Sequence, residues 1–68
     1  MYITLTDLDG DAILINSHKI KFIFVRRHKG IKRTCVCIDD RDYFGFSSTI
    51  MVQEPINEVL VQLQSLQL

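Results

Sequence analysis

The chain has 68 residues, 47% of them hydrophobic, which predicts a single domain over residues 1–68 and argues against intrinsic disorder. Its eight basic and eight acidic residues cancel to a formal net charge of zero, so the total charge alone selects no class of partner. No apolar run approaches the roughly 20 residues of a membrane span, and the N-terminal residues lack the pattern of a secretory signal, so we expect a cytoplasmic protein without a membrane partner.

The N-terminal residues predict a β-hairpin. Tyr2–Thr6 alternates and is rich in β-forming residues, and Ala12–Ile15 resembles a returning strand. Between them lies a polar turn that contains Asp9-Gly10, a dipeptide typical of hairpins. Asn16-Ser17 then predicts a break that opens one short turn through Lys19.

A second hairpin is predicted in the middle of the chain. Ile20–Arg27 has the strongest strand pattern, and Ile31–Ile38 is the expected returning strand. His28–Gly30 predicts a tight turn in which Gly30 supplies the positive φ. The run Phe22–Val25 is apolar on both strand faces, which indicates that the core covers one face and a partner the other.

The C-terminal part predicts two short strands, Tyr43–Phe46 and Thr49–Val52, or one strand broken near Gly45–Ser48, and then a helix. Pro55 suits the first helical position because its missing N–H would have no partner there. The residues of the apolar helix stripe are Ile56, Val59, Leu60, Leu63 and Leu66. We therefore expect an α+β fold, with a twisted antiparallel sheet of four to six strands and one C-terminal helix packed on it.

Apolar residues outside the expected core predict a homo-oligomer. A chain this small cannot bury all of its apolar side chains, and self-association is one way to cover the remainder. Candidate interface residues are Phe22 and Phe24 on the second hairpin, and Val61 and Leu68 on an uncharged flank of the helix.

Three parts of the sequence form a recognisable pattern: Ile3–Gly10, then Ile13–Asn16 with Ile20, and the helix entry Val52–Leu60. This pattern resembles that of the small flagellar FlbD-like proteins. It implies a small bacterial assembly or regulatory module that acts through protein contacts and has no catalytic residues. The basic turn described next is not part of the family pattern.

The basic residues are strongly segregated along the sequence. Seven of the eight lie between Lys19 and Arg33, where there is no acidic residue. The densest part surrounds Gly30 and forms the predicted partner-binding site: Arg26, Arg27, His28, Lys29, Lys32 and Arg33. Such a two-stranded ribbon is suited to a nucleic acid, because Lys and Arg clusters bind phosphates. The alternative is a solvated hairpin neutralised by Asp39, Asp40 and Asp42, or by a sister subunit.

Three other patterns favour ordinary structural roles. Phe44-Gly45-Phe46 matches the centre of an RNA-recognition signature, but its flanks do not match, so we expect packing. Asp7, Asp9 and Asp11 lack the glycine and glutamate positions of a calcium loop, and predict a polar turn. Cys35 and Cys37 have no zinc-knuckle spacing and point to one strand face, where they bridge poorly, so no metal site or disulfide is expected.

The sequence gives no indication of catalysis. It contains no G-x-S-x-G motif and no phosphate-binding loop, and the only adjacent nucleophile and base, Ser17-His18, diverge on a strand or turn. We expect a non-enzymatic protein without a cofactor or small-molecule substrate. The expected partner is a protein, including a second copy, and a nucleic acid is the alternative. A phage or mobile-element inhibitor of a host protein is a weaker possibility.

Overall fold

The computed structural model describes residues 1–39 and 47–66, and within them the chain forms five β-strands, one 3-10 turn and one α-helix. The strands are β1 Tyr2–Thr6, β2 Ala12–Asn16, β3 Ile20–His28, β4 Ile31–Asp39 and β5 Ser47–Val52. The 3-10 turn is Ser17–Lys19, and the helix, α1, is Ile56–Ser65. The strands pair antiparallel, and the predicted α+β class is confirmed. The predicted strand Tyr43–Phe46 lies outside the described residues.

The five strands are divided between two sheets. One sheet is the β1–β2 hairpin, and the other has the order β3–β4–β5 with β4 in the centre. The sheets meet where β1 ends and β5 ends: Asp7 and Val52 form a single bridge, and the Gln53 N–H donates to the Thr6 carbonyl oxygen at 2.8 Å. This junction joins segments that are more than forty residues apart in the sequence.

The first hairpin turns through a three-residue loop at Leu8–Gly10. Asp7 N–H donates to the Asp11 carbonyl, and Gly10 N–H donates to the Asp7 carbonyl at 3.1 Å. Gly10 has φ 93°, as expected for the left-handed residue that follows a turn in such loops. The Asp7 carboxylate accepts from the Asp9 and Asp11 N–H groups, both at 2.9 Å. The predicted polar turn is confirmed.

A β-bulge at Lys21 decides which side chains of β3 face the core. Ile20 pairs with Ile38 and Phe22 pairs with Cys37, so Lys21 is the extra residue. Because side chains alternate along a strand, an extra residue reverses the faces. Ile20 and Ile23 therefore both pack on the core although they are three positions apart, and Phe22 faces the opposite side.

The core lies between the two sheets and α1. Its residues come from all five strands and the helix, and those buried in it are Ile3, Leu5, Ile15, Val36, Val52 and Val59. The helix contributes one fully buried residue, Val59, while Leu63 and Leu66 are partly buried against the same cluster. Burying such side chains contributes about 1.5–3 kcal/mol each. The core therefore depends on contacts between all elements rather than on any one hairpin.

Two details of the helix differ from the predictions. Pro55 is the residue before the helix, with φ −64° and ψ 153°, and its carbonyl accepts from the Glu58 and Val59 N–H groups. The helix begins one position later than predicted because the first residue in helical conformation is Ile56. Leu60 is also 41% exposed, so the buried stripe is narrower than the predicted one, since a short helix contacts the sheets along one narrow line.

Glu54 connects the helix entry to β1. Its carboxylate accepts from the Thr6 N–H and from the Thr6 Oγ1 hydroxyl, both at 2.9 Å. Partial burial acts to raise the pKa of Glu54, but these hydrogen bonds and one from its own backbone outweigh that effect, so the pKa is lowered. The bonds therefore favour the ionised carboxylate in the folded protein.

We predict that Glu54→Gln lowers the free energy of unfolding at neutral pH by about 1 kcal/mol, the usual net size of such hydrogen bonds. Because the folded-state pKa is lowered, this stabilisation is present above the ordinary glutamate pKa of about 4.3 and is lost as the pH falls through the folded-state value. Urea unfolding at a series of pH values should show the two proteins converging in acid. Glu58→Gln is the charge-matched control, and an equal effect from that variant would contradict the role of Glu54.

Candidate functional site

The predicted basic hairpin projects from the three-stranded sheet. β5 ends at Val52, which pairs with Thr34 of β4. β3 and β4 continue past that point as a two-stranded ribbon, Arg26–Arg33, which we call the basic ribbon. Its five cationic residues are Arg26, Arg27, Lys29, Lys32 and Arg33.

Like charges face each other directly across the basic ribbon. Arg26 pairs with Arg33, and Arg27 pairs with Lys32. Directly opposed like charges destabilise a strand pair. The alternation of side chains places the first pair on the sheet face opposite the core and the second pair on the core-side face. Both faces of the ribbon are therefore positive, and the sequence here does not favour the stability of the hairpin.

Among residues 1–39 and 47–66, no ion pair joins a carboxylate to any of these five cations. Asp39, one of the predicted neutralising residues, ends β4 six residues from Arg33, which on a strand is about 20 Å. Asp40 and Asp42 lie outside the described residues.

The turn of the ribbon needs two residues with positive φ. Lys29 has φ 52° and Gly30 has φ 78°. This pattern is that of the hairpin turns in which both central residues are left-handed. Gly30 was predicted to supply the positive φ, and this is confirmed. The left-handed Lys29 was not predicted, because lysine carries no sequence signal for that conformation.

A row of two aromatic rings and one guanidinium leads into the ribbon along the outer face of β3. The rings of Phe22 and Phe24 have centroids 5.7 Å apart and an interplanar angle of 36°. The Arg26 guanidinium carbon lies 5.2 Å from the centroid of the Phe24 ring, within the distance of a cation–π contact. We call Phe22, Phe24 and Arg26 the aromatic row. Phe22, at the end away from the ribbon, is 54% exposed. The sequence predicts Phe22 and Phe24 as interface residues and Arg26 as a partner-binding residue, but not that the three lie side by side. Their i, i+2, i+4 spacing on a strand indicates a shared face.

Arg33 lies next to this row, opposite Arg26. Its Nε is buried and has no hydrogen-bond acceptor within the described part of the chain. Burying an unsatisfied donor costs about 1–3 kcal/mol, and more for a charged group. The outer face of the ribbon therefore contains a donor that the described protein atoms do not satisfy.

The predicted oligomer residues that the structure describes lie on two different surfaces. Phe22 and Phe24 lie on the outer face of the sheet, whereas Val61 is 62% exposed on α1, which packs on the core side. Leu68 lies outside the described residues. Of the two faces of Phe22–Val25, one contacts the core through Ile23, whereas Phe22 on the other face is exposed. The partner expected on that second face stays a prediction.

The remaining predicted residues are dispersed. Cys35 and Cys37 are buried free thiols on the outer face of β4, and His28 pairs with Ile31 in the ribbon. Within the part of the chain that the structure describes, no three His, Cys, Asp or Glu side chains are placed to hold a metal ion. No helix among these residues is long and apolar enough to span a bilayer. Phe44-Gly45-Phe46 lies outside the described residues.

An open cleft of about 340 Å³ lies between the β1–β2 hairpin and the three-stranded sheet. Isoleucines from both sheets line much of it, namely Ile13, Ile15, Ile38 and Ile50, and Lys19 lies at the same cleft. Several of these side chains also pack against the core. The cleft thus marks where the two sheets separate, away from the basic ribbon.

Comparison with protein-family models, with curated proteins and with solved structures finds no match to this chain. The resemblance to FlbD-like proteins therefore stays a prediction. Function has to be inferred from the surface itself.

We predict that Gly30→Ala weakens the basic ribbon by about 1–2 kcal/mol, the cost of placing a Cβ in the left-handed region. An added Cβ would meet no atom within 4 Å, so backbone conformation alone sets this cost. Lys29→Asn should act in the opposite direction, because Asn-Gly favours this turn. Amide hydrogen exchange across the ribbon measures both effects, with the β1–β2 hairpin as internal reference. Unchanged exchange in Gly30→Ala would contradict the prediction.

Proposed function

We propose that this protein is a non-enzymatic binding module that binds nucleic acid through the basic ribbon. One observation carries the proposal: five cations project beyond the end of β5, and the described residues place no carboxylate in contact with them. The ribbon holds five of the eight basic residues of this chain, whose formal net charge is zero.

The energetics of the ribbon support an anionic partner. Two directly opposed cation pairs, Arg26 with Arg33 and Arg27 with Lys32, lower hairpin stability. A row of phosphates relieves this repulsion and releases condensed counterions, which is the main source of non-specific nucleic-acid affinity.

We predict salt-dependent binding of a fluorescent oligonucleotide, measured by anisotropy. The slope of log K against log salt should be about −0.7 per neutralised phosphate on a single strand and about −0.9 on a duplex. Replacing Arg26, Arg27, Lys32 and Arg33 together by Ser should abolish binding. No binding of the native protein at low salt would refute the proposed function.

A variant that changes the charge away from the ribbon tests whether binding is confined to the ribbon. Asp9 and Asp11 are exposed in the loop of the first hairpin, so changing both to Asn alters the net charge without changing the ribbon. This variant should bind at least as tightly as the native protein. A loss of affinity in that variant would contradict a site confined to the ribbon.

A second candidate function is assembly through protein contacts, as a homo-oligomer of the FlbD-like type. The observation that favours it is the 54% exposure of Phe22, which lies beside Phe24 on the outer face of β3. Large aromatic side chains are frequent at protein interfaces. In this case the outer face of the three-stranded sheet would be the contact between subunits.

We predict that, if this face is a subunit interface, light scattering will show a dimer or larger species that Phe22→Ser converts to a monomer. Tyr2→Ser is the matched control, because Tyr2 is 59% exposed on the other sheet. A strictly monomeric native protein at high concentration would exclude this second function.

A further inference from the structure

We infer that the basic ribbon and the aromatic row together form a site for single-stranded nucleic acid, in which a base stacks on Phe22 while phosphates lie along the outer face of the ribbon. The inference rests on the proposed function and names its ligand class more narrowly. It depends on the arrangement of Phe22, Phe24 and Arg26, which is independent of the charge count.

The row has one open end and one charged end. Phe24 is flanked by the Phe22 ring at 5.7 Å and by the Arg26 guanidinium at 5.2 Å, and it is only partly exposed. Phe22 has no second aromatic neighbour among the described residues and is 54% exposed. Phe22 is therefore the ring available for stacking, and Phe24 positions both of its neighbours.

The charged end of the row leads directly into the ribbon. Arg26 is four residues from Phe22 on the same strand face, which is about 13 Å, and Arg33 lies opposite Arg26. A ligand that stacks on Phe22 and runs along the strand therefore meets the Arg26–Arg33 pair next. The contact with Phe24 holds the Arg26 guanidinium in place before any ligand arrives, which lowers the ordering cost of binding.

The combination of a stacking ring with adjacent cations selects single strands. In a duplex the faces of the bases are occupied by neighbouring bases, so an exposed ring on a sheet has no base face to contact. In a single strand every base offers a face, and sites of this class combine a basic groove with aromatic platforms. A ribbon of cations without the ring would bind single strands and duplexes through phosphates alone.

The test compares oligonucleotides of about 12 nucleotides, within the usual span of such sites: single-stranded DNA, single-stranded RNA of the same sequence, the DNA duplex, and the DNA strand with abasic positions. Anisotropy at fixed low salt gives each Kd. Native protein should bind the intact strands about 5-fold to 100-fold more tightly than the abasic strand, the range for losing one stack. The DNA and RNA arms identify which polymer is preferred.

Substitutions at Phe22 locate the stack. Phe22→Leu should weaken binding to the intact strand to the level of the abasic strand, and should leave abasic binding unchanged. Phe22→Tyr keeps a ring and should retain affinity, and Tyr2→Leu is the control for an exposed aromatic residue elsewhere. Thermal unfolding confirms that each variant is folded.

Two double variants test the face of the ribbon. Arg26→Ser with Arg33→Ser and Arg27→Ser with Lys32→Ser remove equal charge from opposite faces. The first should lower affinity for the intact strand more than the second.

The outcomes separate this inference from the proposed function. Equal affinity for intact and abasic strands, or no effect of Phe22→Leu, overturns the stacking site, while salt-dependent binding would still support the ribbon. Equal losses from the two double variants overturn the assignment to the outer face. Absence of binding to all four oligonucleotides overturns both proposals.

Discussion

The unequal pairing of β4 is the constraint on which the rest of the structure depends. β4 pairs with β3 along Ile31–Ile38, but β5 covers it only from Thr34 onwards. The three-stranded part is wide enough to bury Val36 and Val52 against α1 and the first hairpin. The two-stranded part has no such cover and extends as the basic ribbon. A single difference in strand length thus separates the core-forming region of β3–β4 from the region that faces solvent.

The bulge at Lys21 separates the side chains of β3 that face the core from those that face outwards. Without it, a strict alternation from Ile20 would place Phe22 on the core side and Ile23 on the outer side. The extra residue lets Ile20 and Ile23 both reach the core and leaves Phe22, Phe24 and Arg26 in one row on the other face. Bulges are common where a strand must re-aim its side chains. Here the bulge brings an aromatic row into line with the ribbon.

The core contains interactions that stabilise the fold, whereas the basic ribbon contains interactions that destabilise it. In the core, local preference, packing and hydrogen bonding agree, as in the Thr6–Glu54 connection at 2.9 Å. In the ribbon, like charges oppose each other twice and the turn places a lysine at φ 52°. Each feature costs stability, and natural chains retain such costs mainly at functional sites. This contrast, rather than the number of basic residues, is the basis of the proposed binding role of the ribbon.

Local patterns in the sequence determined the elements of this protein. Alternation set the strands, Gly10 and Gly30 marked the hairpin turns, Pro55 marked the helix entry, and the clustering of Lys and Arg located the ribbon. The tertiary structure alone decided the division into two sheets and the projection of the basic ribbon beyond Val52. It also decided the alignment of Phe22 with Arg26 in one row and the hydrogen bonds between Glu54 and Thr6. The reason is that these features depend on register and on contacts between distant segments: Glu54 and Thr6 are 48 residues apart, and one bulge reverses a strand face. Local sequence patterns predict neither the register of the strands nor the contacts between distant segments.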